Sequence, residues 1–145
     1  MKKLLVLVTV TAAIAAATGT GRADAQVRFP RGTFTMDAFT TQVQNQTITW
    51  IGPDGTPYTV DRYYEYEATL SWTGFPPHSS MRLEISDPSK DQNATIEVSG
   101  HSSYVFTGTA ENGWWAFPGD SISFRLIVCL NRACATYELS GQIPN

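Results

Sequence analysis

From Arg62 to Thr73 the chain reads RYYEYEATLSWT, and apolar residues recur at every second position. A period of two marks a half-buried strand. It puts Tyr64, Tyr66, Ala68, Leu70 and Trp72 on one face, and Tyr63, Glu65, Glu67, Thr69, Ser71 and Thr73 on the other. Met81-Leu83-Ile85, Ile96-Val98 and Ile122-Phe124-Leu126-Val128 repeat the rule, with Arg82, Glu84 and Glu97 turned outward. Shorter extended segments are expected at Val27 to Phe29, Thr33 to Met36, Thr47 to Ile51 and Tyr58 to Val60.

Between these runs lie GPDGTP (Gly52 to Pro57), GFPPHSS (Gly74 to Ser80) and DPSKDQN (Asp87 to Asn93). Their glycines, prolines and short polar residues favour turns over ladders. Beyond Ala25 no helical period and no internal repeat is visible. Half-buried strands without helices must cover one another, which predicts two antiparallel sheets packed face to face. The expected class is an all-β sandwich of about seven to nine strands, immunoglobulin-like or jelly-roll.

The only cysteines, Cys129 and Cys134, stand in CLNRAC. Inward even positions from Ile122 to Val128 turn Cys129 outward, and an apolar face of Ala135, Tyr137 and Leu139 does the same for Cys134. A four-residue hairpin loop then sets the two opposite each other, where they can bond. The spacing is not that of a redox CxxC pair, so a structural disulfide is expected.

Asn112-Gly113 is a strong two-residue hairpin signal, because a type I′ turn needs positive φ at both positions. A turn there would pair Gly108 with Phe117 and Ala110 with Trp115. That register makes Trp115 core, lets Phe117 cover the gap at Gly108, and leaves Trp114 on the polar face beside Glu111.

Ahead of these elements, Lys2-Lys3, the apolar run Leu4 to Ala17 and the small residues of Ala23-Asp24-Ala25 have the layout of a secretory leader. The apolar run is too short to span a bilayer. A cut after Ala25 predicts a leader at 1–25 and one exported β-sandwich domain at 26–145, periplasmic or secreted. That domain carries seven basic and twelve acidic residues, a net charge of −5. An acidic surface without a basic patch argues against nucleic acid or an anionic membrane as partner.

Candidate chemistry is sparse. An exposed Trp114 can stack on a sugar ring or anchor a protein interface, with Glu111, Tyr63 and Tyr58 as companions. Glu65 and Glu67 share a face at roughly 7 Å, inside the span used by inverting glycosidases. A catalytic pair also needs a cleft and pKa values driven apart, so a solvated strand face that discourages edge pairing is expected instead. His78 and His101 have serines beside them but no nucleophile elbow. Asp87, Asp91 and Asn93 offer oxygen ligands for calcium without the spacing of a helix–loop–helix site, so a hydrated turn is expected. No metal or other cofactor is expected. The favoured expectation is a non-catalytic module for protein interaction. A carbohydrate-binding module and a small glycoside hydrolase are the alternatives.

Overall fold

The computed structural model describes residues 30–145, together with the backbone of two short strands, Lys3–Leu5 and Ala13–Ile14. The expected cut after Ala25 and the strand expected at Val27 to Phe29 lie outside the described residues. From Thr33 onward the strands are β1 (Thr33–Gln44), β2 (Ile48–Ile51), β3 (Pro57–Val60), β4 (Tyr63–Thr73) and β5 (Ser80–Asp87). They continue with β6 (Gln92–Glu97), β7 (Ser103–Gly108), β8 (Ser121–Leu130) and β9 (Ala133–Gln142). A single 3-10 turn, Pro88–Lys90, is the only helical element among the described residues.

Pairing divides these strands into a sheet ordered β1-β4-β7, a sheet ordered β9-β8-β5-β6, and the hairpin β2-β3. All the pairs are antiparallel. Setting the hairpin aside, the first, second and fifth strands share one layer, and the third, sixth and seventh share the other. That is the immunoglobulin-like arrangement, with the fourth strand joined to the second layer, and it decides against the jelly roll. The short strands Lys3–Leu5 and Ala13–Ile14 run antiparallel to residues 40–42 of β1 and 137–138 of β9.

The layers close on the apolar faces that the alternation predicts. Leu70 and Ala68 of β4, Leu83 and Ile85 of β5, and Ile122, Phe124, Leu126 and Val128 of β8 are fully buried. β1 is longer than the segment expected at Thr33 to Met36. A bulge between Met36 and Ala38 switches its inward positions from even (Phe34, Met36) to odd (Phe39, Thr41). An inserted residue has this effect, since it opposes no partner and resets the count of two.

Cys129 and Cys134 are register partners and are joined by a disulfide, with Cα atoms 4.1 Å apart. The loop is tighter than expected. Leu130 still pairs with Ala133, which leaves Asn131-Arg132 as a two-residue turn with φ of 51° and 69°. Positive φ at both positions is what a type I′ hairpin requires.

Candidate binding surface and the buried cluster beneath it

The outer face of β4 is not uniformly solvated. At its first residue, Tyr63 pairs with Gln44 of β1 and both are buried, Tyr63 in a cluster with Val60, Ile48 and Trp50 of hairpin β2–β3. The hairpin turns at Gly52 to Thr56. There the Gly52 and Gly55 amides donate to the Thr56 and Gly52 carbonyls, and the Thr56 amide donates to Asp54. Trp50 is set opposite Tyr58 and Ile48 opposite Val60, so these four share a face.

Trp50 is the hub of an aromatic cluster. Its ring lies 5.1 Å from Phe117, 6.2 Å from Trp115 and 5.5 Å from Tyr58, measured between centroids. Trp115 in turn meets Phe117 at 4.8 Å and Tyr63 at 5.7 Å, both edge-on. Edge-to-face pairs at such distances add attraction beyond burial alone. A satellite core of Val60, Tyr63 and Trp115 thus forms outside the sandwich, with Ile48, Trp50, Ala110 and Phe117 packed around it. The hairpin leaves one large apolar side chain exposed on each face: Ile51 is 59% exposed, and Tyr58, on the Trp50 face, 45%.

The loop that delivers Trp115 does not follow the register expected at Asn112-Gly113. Only Gly113 has positive φ, so the turn is not type I′. Asn112 organises the loop with its side chain instead. Its Oδ1 accepts from the Thr109 and Trp114 amides at 3.0 and 2.8 Å, and its Nδ2 donates to the Thr107 carbonyl at 2.8 Å. The returning strand then leaves β7, and Ala116 bridges to Tyr64 of β4 through two bonds of 2.9 Å.

Two consequences follow for the tryptophans. Trp115 is buried, but in the satellite core rather than between the sheets. Trp114, expected on the polar face, is half-buried and meets Phe106 edge-on at 5.3 Å beside the main core. Gly108 is also filled differently. A side chain there would strike the Tyr66 ring and the Trp114 carbonyl, so these groups and not Phe117 occupy the gap.

Under the loop lies a charged cluster where a hydrated turn was expected. The 3-10 turn buries Lys90, which is only 6% exposed. Its Nζ donates to the carbonyls of Gly113 at 2.8 Å and Trp115 at 2.7 Å, and sits 3.7 Å from the Trp115 ring centroid. Asp87 is fully buried, and Asp120 nearly so. Asp87 accepts from the Ser89 hydroxyl at 2.9 Å, and Asp120 from the Phe117 amide at 2.9 Å.

Burial, reinforced by the Asp120 charge, raises Asp87 to about 6. Burial lowers Lys90 to about 8, against the opposing pull of Asp87 and Asp120. The Tyr66 hydroxyl is raised, by burial first and then by the same two carboxylates. Sequence gave no warning of this, because Lys90 binds carbonyls 23 and 25 residues away.

The remaining predicted site residues are scattered. Glu111 is exposed in the loop, Tyr58 is on the hairpin, and Tyr63 is under it. Tyr58 and Tyr63 are linked through Trp50 and Trp115, whereas Trp114 belongs to the other side of the loop. Glu65 and Glu67 line an open trough of about 160 Å³ with Thr40, Gln42, Thr107 and Thr109. Glu65 is committed there to the Ala110 amide at 2.9 Å. A second trough, about 260 Å³, crosses the other sheet at Ser86, Asn93, Ser123 and Arg125.

Asp87 is buried while Asp91 and Asn93 are exposed, so the three calcium candidates do not converge. Among the described residues no group of three or more His, Cys, Asp or Glu is placed to hold a metal ion. No helix among them is long and apolar enough to cross a membrane. Comparison of the chain with protein-family models, with curated proteins and with solved structures finds no match.

Proposed function

We propose that the chain is an exported, non-catalytic binding module that engages another protein through hairpin β2–β3. One observation carries this reading: the arm packs on the body through Trp50 yet leaves Ile51, on its opposite face, and Tyr58, beside Trp50, exposed. Large apolar side chains presented on a rigid support are what interface anchors require. The leader-like start and the disulfide agree with an exported, oxidising setting.

The test is cross-linking capture from exported proteins of the source organism, using wild type and Ile51→Asp. Loss of a captured protein in the variant supports the reading. Identical capture by both proteins rejects the arm as the contact surface.

A sugar-binding reading has one observation of its own. Trp50 and Tyr58 lie 5.5 Å apart with 31° between their planes, and Tyr58 is half exposed. Paired rings of this kind offer apolar faces to a pyranose. A glycan array that responds to wild type and not to Tyr58→Ala selects this reading over the first.

A further inference from the structure

The arm has no pairing with either sheet of the sandwich. It is held by Trp115 and Phe117, and both sit on the loop that Lys90 and Asp120 fasten from below. The fastening brings two carboxyls together in a buried place. Asp87 and Asp120 are both buried, the Asp120 charge favours the protonated form of Asp87, and Asp87 Oδ2 is buried with no hydrogen-bond partner among the described residues. Two carboxyls in that relation are matched when one proton is shared between them.

We propose that Asp87, Asp120 and Lys90 form a proton-operated clamp, which seats the Trp115–Phe117 loop and with it the hairpin arm, and loosens when the shared proton leaves. This rests on the arm being the binding surface, and adds its regulation. With the proton in place, one negative charge faces the Lys90 ammonium and the cluster is neutral. Without it, two carboxylates share a dry site with a single cation, and opening the loop to water relieves the excess.

The groups that face the pair are few. Lys90 comes from the 3-10 turn and Tyr66 from β4. β6 contributes the neutral Gln92, whose amide donates to the Gly113 carbonyl at 3.1 Å. Burial and the Asp120 charge place the Asp87 transition at about pH 6, within reach of environments outside a cell.

The experiment follows acrylamide quenching of tryptophan fluorescence in the full chain, from pH 5 to pH 7.5. Wild type is expected to show quenching that rises at least twofold with a midpoint near pH 6. Asp87→Asn and Asp120→Asn, which keep an acceptor oxygen and remove the titration, are expected to stay flat. Equal titration in wild type and both variants overturns the clamp, as does a flat wild type. Carboxyl NMR titration of wild-type Asp87 decides the matter if neither variant folds, and a transition below pH 4.5 rejects the proposal. These readouts need no partner, so their failure leaves the arm reading untouched. Failure of the Ile51→Asp capture likewise leaves the clamp standing.

Discussion

Lys90 is tied to Trp115 twice, by a 2.7 Å hydrogen bond to its carbonyl and by a position 3.7 Å above its ring. A lysine this deep is rare unless its charge is matched. Lys90→Met is expected to cost about 3 kcal/mol, because the buried Trp115 carbonyl loses its donor, the Gly113 carbonyl keeps only Gln92, and two carboxyls lose their cation. Urea denaturation measures it. A loss below about 1 kcal/mol would mean that the ammonium contributes little.

The same cluster fixes the shape of stability against pH. Asp87 is raised from 3.8 to about 6, so the folded chain keeps a proton that the unfolded chain has released. Stability from this group therefore falls as pH rises from about 4 to about 6. Lys90 is lowered from 10.5 to about 8, so the folded chain gives up its proton first. Its contribution increases between about pH 8 and 10.5. Unfolding free energy is expected to pass through a minimum between pH 6 and 8. Asp87→Asn should flatten the acid limb and Lys90→Met the alkaline one, each by about 2 kcal/mol.

Trp114 and Trp115 are neighbours with different burdens. Trp115 is buried among Tyr63, Trp50 and Phe117, while Trp114 covers Phe106 with part of its ring in water. Trp115→Ala should cost about 4 kcal/mol and Trp114→Ala about half that. Thermal and urea unfolding of both variants checks the order, and a reversal would contradict the satellite core.

Replacing both cysteines by serine removes a bond that closes only the six residues Cys129 to Cys134. Chain entropy for so short a loop sets the loss at roughly 2 kcal/mol. The hairpin itself should persist, since Asn131-Arg132 already has the turn conformation. Amide exchange across Val128 and Ala135 in the double variant measures this. Full loss of protection there would show that the bond, and not the turn, sets the register.

Much of the sandwich was legible because β4, β5 and β8 keep an unbroken period of two over their length. β1 was half seen, since the bulge at Met36 changes phase and hides the strand beyond it. The Asn112-Gly113 signal misled for a local reason. Asn112 spends its side chain on the loop amides, and Ala116 finds a better partner in Tyr64 than in β7. Alternation gave Tyr63 its face but could not show that a hairpin covers that face. The Lys90 cluster was invisible for a related reason, because its parts come from four separated stretches of chain.

The disulfide joins two adjacent strands of a single sheet, whereas antibody domains carry a bond that bridges the layers. Here the layers adhere without any covalent tie between them. A pulling force that strips β1 from β4 and then opens the sandwich meets no covalent stop before Cys129. In a stretching experiment nearly the whole domain should lengthen, and the locked hairpin would withhold only a few residues of contour.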